Sequence, residues 1–111
     1  METEPLDVGS AALCLEALGS PTRLEIYRLL VQAGPGGTVV GELQARLGIP
    51  ASTLSHHLSR LVRVGLIGQE RQSRNLICRA NYQRMNGLVA YLSDQCCEGL
   101  GAAACTTSGA A

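Results

Sequence analysis

The stretch Ser52-Thr53-Leu54-Ser55-His56-His57-Leu58-Ser59-Arg60-Leu61-Val62-Arg63 sorts its side chains by chemistry when it is wound into a helix. At about 100° per residue, Leu54, Leu58, Leu61 and Val62 fall within roughly 60° of Leu58 and form one apolar side. Ser52, Thr53, His56, Arg60 and Arg63 project from the other side, with Ser55 and His57 on the flanks. The outward face holds hydroxyls, imidazole and guanidinium groups and no carboxylate. A merely solvated face usually mixes Glu with Lys. This one offers short hydrogen-bonding groups near its N-terminus, suited to base edges, and arginines further along that reach bases or phosphates. His56 is expected to make a base or phosphate contact and His57 to be packed and half-buried. Neighbours on a helix diverge too far to share a metal.

The elements around this helix fit a reading head. Thr38–Gly48 places Leu43 and Leu47 four residues apart and predicts a short helix, broken by Gly48-Ile49-Pro50-Ala51. Two short helices joined by three or four residues form a helix-turn-helix. After it, Leu66–Arg71 and Leu76–Ala80 read as two brief strands linked by Gln72-Ser73-Arg74-Asn75, a β-hairpin wing whose Arg71 and Arg74 are candidate DNA contacts. Upstream, Ala11–Leu18 reads as a helix stopped at Gly19, and Ser20-Pro21 restarts a second with Ser as N-cap and Pro at the first helical position. Gly34-Pro35-Gly36-Gly37 ends it; no Gly-Lys-Ser/Thr follows, so this is a loop and not a phosphate cradle. Tyr82–Cys97 is a final helix with Met85, Leu88, Val89 and Leu92 on one stripe. The fold class is mainly α, a winged helix-turn-helix of about five helices with a two-stranded wing. Residues 1–10 read as a flexible N-terminus, 11–97 as the DNA-binding and dimerisation domain, and 98–111 as a flexible Gly/Ala/Thr/Ser tail carrying Cys105.

With 111 residues the chain forms one domain with a modest core. It has no Phe or Trp and three Tyr, so packing must come from Leu, Ile, Val and Ala, and a partner subunit would help close it. No apolar run approaches the roughly 18 residues of a membrane span, and the N-terminus lacks a signal-like apolar stretch, which predicts a cytoplasmic protein. The formal net charge is zero, but it is unevenly spread. Residues 52–84 carry six Arg against Glu70 alone, +5, while residues 1–51 carry three Arg against six acids, −3. A local basic stripe is the footprint phosphate binding requires, whatever the total. No Ser or Cys nucleophile with a base and an orienting acid is recognisable, so an enzyme is not expected.

Leu18-Gly19-Ser20-Pro21-Thr22-Arg23-Leu24-Glu25-Ile26, then Ser52-Thr53-Leu54-Ser55-His56-His57-Leu58, Leu61 and Gly65-Leu66-Ile67, resemble the signatures of the ArsR/SmtB repressors. The resemblance covers roughly residues 11–97. It implies a homodimer, joined through the first and last helices, that sits on a palindromic operator of double-stranded DNA and leaves when a metal or metalloid binds. Two departures stand out. The wing turn, commonly Gly-Arg, is Ser73-Arg74, and the stretch where metal-sensing members often carry Cys-x-Cys reads Thr38-Val39-Val40-Gly41-Glu42-Leu43, with no thiol.

The five cysteines lie elsewhere: Cys14, Cys78, Cys96, Cys97 and Cys105. Cys14 and Cys78 are expected to be packed as small hydrophobes. The vicinal pair Cys96-Cys97 plus Cys105 on the tail resembles a subgroup of arsenite sensors in which three C-terminal thiolates hold As(III), and Sb(III) suits the same donors. Soft thiolates select soft metals and metalloids. Cys96 continues the Leu88, Val89, Leu92 stripe while Cys97 points about 100° away, so joining both sulfurs at one centre requires the last turn to loosen. Zn²⁺ or Cd²⁺ would need a fourth ligand, and a thiol redox switch or a metalloid buffer are the alternatives.

Overall fold

A computed structural model describes residues 6–94 of the chain. The elements run α1 (Val8–Leu18), α2 (Pro21–Ala33), β1 (Thr38–Val39), α3 (Val40–Leu47), α4 (Ala51–Arg63), β2 (Ile67–Gln72), β3 (Asn75–Ala80) and α5 (Tyr82–Ser93). The fold is the expected mainly helical winged helix-turn-helix, with five helices around a small antiparallel sheet.

Several boundaries differ from expectation for identifiable reasons. α1 begins at Val8 rather than Ala11 because Asp7 caps it, its carboxylate accepting the Ser10 N–H at 2.7 Å. Ser20 caps α2 as expected, accepting the Arg23 N–H at 3.3 Å. Thr38-Val39, read as the start of a helix, is a strand: it pairs with the centre of β3, Thr38 opposite Cys78 and Val39 opposite Ile77, so the sheet has three strands in the order β1-β3-β2. The β-branched pair suits this pleated, half-covered position. The hairpin loop is tighter than the four residues expected. Gln72 pairs with Asn75, leaving Ser73-Arg74 as a two-residue turn with Ser73 at φ 60°, the left-handed value glycine adopts freely. The last helix, expected over Tyr82–Cys97, runs to Ser93 with Asp94 extended, and residues 95–97 lie outside the described residues.

The core is almost wholly aliphatic. Ile26, Leu30, Leu43, Leu54, Leu61 and Leu66 are fully buried, joined by Leu58, Ile67 and Leu88 and by the small side chains of Ala11, Cys14, Ala17 and Ala80. Each buried Leu or Ile contributes about 1.5–3 kcal/mol of burial free energy. α1 packs on α2, α4 and α5, and α4 packs on α1, α2 and β2, so three helices converge on the Leu54, Leu58, Leu61 stripe. The wing leaves this core quickly. Within β2 only Ile67 is buried, and Gly68 to Gln72 are exposed.

Two glycines are fixed by close approach as well as by dihedral. Gly37, at φ 73°, lies against β3, where an added Cβ would collide with the Cys78 carbonyl oxygen and the Arg79 side chain. Gly65, at φ 80°, turns the chain from α4 into β2, and its Cα face is covered by the Arg84 guanidinium, 3.0 Å from where a Cβ would stand. Gly36 has neither constraint. Gly37→Ala should therefore cost roughly 2 kcal/mol or more in urea unfolding, from left-handed strain plus a backbone clash. Gly36→Ala should stay within about 0.5 kcal/mol of the wild type.

Candidate nucleic-acid interface

α4 carries its polar residues outward because Leu54, Leu58 and Leu61 are locked inward. Ser52, Thr53, Ser55, His56, Ser59 and Arg63 are exposed, and Arg60 is half-buried. Val62, expected on the buried side, is instead 38% exposed, at the edge of the apolar arc. No side chain caps the start of α4. Pro50 is its N-cap, and the first bond goes from the Leu54 N–H to the Pro50 carbonyl at 3.0 Å. The N–H groups ahead of it point out of the helix end, where the partial positive charge of the dipole favours an anion.

His57 is held from behind. Arg23 Nη1 lies 3.3 Å from His57 Nδ1. A guanidinium can only donate, so Nδ1 must be the acceptor and the ring is neutral with its proton on Nε2. Arg23 Nε donates to the Ala17 carbonyl at 2.7 Å, so one guanidinium ties the end of α1 to the reading helix. Burial, with Arg23, His56 and Arg60 nearby, holds the His57 pKa below its ordinary value. The half-buried role expected for His57 is met. Arg23 as its positioning partner was not anticipated, although it stands in the Ser20-Pro21-Thr22-Arg23 motif.

The basic stripe is narrower in space than in sequence. Arg79 is already engaged, with Nη1 donating to Glu70 Oε1 at 2.6 Å across the hairpin and Nε to the Pro35 carbonyl at 3.1 Å. That bond holds the Glu70 carboxyl below its usual range. Arg84 is half-buried on α5, turned toward the Gly65 corner. Arg71 and Arg74 are exposed on the wing, and neither they nor Arg60 and Arg63 have a hydrogen-bond or ion-pair partner among the described residues. The candidate surface thus comprises the start and outer face of α4 and the wing tip, with four uncommitted guanidinium groups.

A family profile described as a helix-turn-helix domain matches residues 18–70, from the end of α1 into the wing. The HTH-type transcriptional regulator YgaV of Escherichia coli (strain K12) is 34% identical, covering 78% of this chain and 86% of that protein. The biofilm growth-associated repressor of Agrobacterium fabrum is 32% identical, covering 80% of this chain and 84% of its own. Among solved structures, an ArsR-like transcriptional regulator from Rhodococcus sp. RHA1 superposes with a TM-score of 0.67 at 26% identity, covering 77% of each chain. The chain belongs to the ArsR family. Like other ArsR-family regulators it carries its function in a helix-turn-helix and not in a catalytic centre.

The thiols divide into two sets. Cys14 and Cys78 are free and buried, as expected of packing residues, and burial raises both pKa values, which suppresses the reactive thiolate. Cys14 Sγ lies 3.7 Å from the Val64 carbonyl, and Gln69 Nε2 donates to Cys78 Sγ at 3.4 Å. The expected ligands Cys96, Cys97 and Cys105 lie outside the described residues. Among the described residues no group of three His, Cys, Asp or Glu is arranged to hold a metal, and no helix is long and apolar enough to cross a membrane.

The His57 arrangement has a pH signature. A histidine whose folded pKa is depressed stabilises the fold fully above its unfolded value of 6.5, and this stabilisation is lost as pH falls through the folded value. Thermal unfolding at pH 7.5 and 5.5 should show a larger loss on acidification for the wild type than for His57→Gln. Equal losses would mean that the Arg23–His57 contact does not hold the ring neutral.

Proposed function

We propose that this ArsR-family protein is a homodimeric repressor that reads a palindromic operator with α4 and the wing and is released when As(III) is bound by Cys96, Cys97 and Cys105. The observation that carries the DNA-reading part is the exposed face of α4, where Ser52, Thr53, Ser55, His56, Arg60 and Arg63 stand with no carboxylate among them. Short groups at an uncapped helix start suit base edges and the nearest phosphate. Arg60 and Arg63 suit guanine edges or the backbone, and Arg71 and Arg74 extend the footprint to the flanking groove. Two copies would meet half-sites about one helical turn apart, roughly 34–36 Å. The apolar surface supports dimerisation through α1 and α5, because Val8 and Leu15 on α1 and Val89 and Leu92 on α5 are all exposed, at 69%, 43%, 59% and 59%. A repressor named as such is among the relatives.

The inducer reading rests on the donor set. Three thiolates at 96, 97 and 105 match the trigonal demand of As(III), and of Sb(III) equally, whereas the two described cysteines are buried apart. When bound, the metalloid would draw the chain beyond α5 together next to the proposed dimer helices and so alter the spacing of the two reading heads.

Operator binding measured on the protein's own upstream DNA tests the surface. Arg60→Ala or Arg74→Ala should weaken it by about tenfold each and flatten its salt dependence, while Arg79→Ala, whose side chain is engaged within the wing, should change it by less than about threefold. Unchanged binding in Arg60→Ala would overturn the orientation given to α4. Arsenite titration of the complex tests the inducer site. Replacing any one of Cys96, Cys97 or Cys105 with Ser should leave DNA binding intact and abolish release, whereas the same loss in Cys78→Ser would overturn that assignment.

A further inference from the structure

The junction of α1, the end of α4 and the start of α5 encloses a groove of about 230 Å³ lined by Ser10, Leu13, Val62, Val64, Gly65 and two arginines, Arg63 and Arg84. Among the described residues no carboxylate lines it. Asp7, one turn below Ser10, is already engaged in capping α1. The Arg84 guanidinium has no hydrogen-bond or ion-pair partner among the described residues, and its Nε is buried without an acceptor. A half-enclosed cation without an acceptor is costly, and an anion beside it offsets that cost. Leu13, Val62 and Val64 supply an apolar part of the lining, and two of these side chains are exposed, Leu13 at 56% and Val62 at 38%. The groove is also displaced from the apolar faces proposed for dimerisation. Val8 and Leu15 lie about 20° apart around α1, whereas Leu13 lies about 140° from Val8.

We propose that this groove is a binding site for a small aliphatic carboxylate, held by the Arg84 and Arg63 guanidinium groups with its short tail against Leu13, Val62 and Val64. A carboxylate supplies the paired acceptors that a guanidinium fork matches. The groove's volume limits the tail to a few carbons. The ligand would bridge α5 to the last turn of α4, and it would withdraw Arg63 from DNA. That second effect rests on the DNA-reading assignment above, whereas the site itself does not.

Binding of butyrate to the full chain without DNA, followed by the Arg side-chain Nε–Hε signals in NMR and by thermal unfolding, tests the site. The expected result is a saturable shift of Arg84 and Arg63 and a raised Tm, absent with methyl butyrate and with butylammonium. Arg84→Lys, which keeps the charge but loses the fork, should weaken binding by about tenfold. Arg63→Gln, a change at an exposed position that spares the fold, should weaken it less. No saturable shift with butyrate, equal shifts with the ester, or binding undiminished in Arg84→Lys would each overturn the site. A stronger response to inorganic phosphate than to butyrate would overturn the aliphatic assignment. If butyrate binds but leaves operator affinity unchanged, the coupling through Arg63 is overturned and the site stands. If the chain proves not to bind DNA at all, the free-protein titration still decides the site.

Discussion

The corner at Val64-Gly65-Leu66 sets the position of nearly everything else. The Leu66 N–H bonds back to the Leu61 carbonyl at 3.1 Å and the Gly65 N–H to Val62 at 2.9 Å, closing the end of α4. From the far side Asn81 Nδ2 donates to the Gly65 carbonyl at 2.9 Å, and the Asn81 N–H reaches the Leu66 carbonyl at 2.8 Å. The same Asn81 caps α5 through the Arg84 N–H at 3.1 Å. One asparagine therefore joins the end of the reading helix, both roots of the wing and the first turn of α5. Tyr82 fastens the assembly to α2, donating to the Val31 carbonyl at 2.9 Å. The positive φ of Gly65 and its contact with Arg84 leave no room for a side chain at the point where these elements meet.

Where local chemistry and tertiary packing agree, the sequence was readable. Leu54, Leu58 and Leu61 are spaced for one helix face, and that face is buried; Ser20-Pro21 is a helix start by the chemistry of both residues, and α2 starts there. Where the deciding partner is distant, it was not. Thr38-Val39 becomes a strand only because β3, some forty residues later, offers an unpaired edge, and a helix-period reading of Leu43 and Leu47 absorbed it. Asp7 stands in an acidic N-terminus whose composition reads as frayed, although a carboxylate three residues before a free N–H is a cap. Arg79 and Arg84 entered the +5 stripe as charges, but geometry commits one to Glu70 and Pro35 and turns the other inward. Counting charges along a sequence cannot distinguish an arginine that faces a phosphate from one that faces a carbonyl.

The candidate interface itself was legible for the same reason the core was. A helix whose apolar side is fixed has only one direction left for its polar side, so Ser52, Thr53, Ser55, His56 and Arg63 had to be exposed once Leu54 and Leu58 were buried. Arg23 was not legible, because its effect on His57 depends on how α2 crosses α4 and not on spacing within either helix. That contact also shows how an inward-facing flank contributes to a surface: a neutral, immobilised His57 fixes the rotation of the helix that displays its neighbours.

The wing behaves mechanically like a short lever. It is held from Ile67–Ala80 out to Ile77 and Cys78, which pair with β1, so only the arm from Glu70 to the turn, about 7 Å of strand, is carried by its own cross-strand bonds. Tilting so short an arm by about 10° displaces the tip by only about 1 Å, less than the length of one hydrogen bond. The root is clasped by Asn81, and α5 begins at the next residue. A rotation of α5 would thus reach Arg74 only by carrying β3 with it, so that β1 and the Pro35 turn move together with the wing.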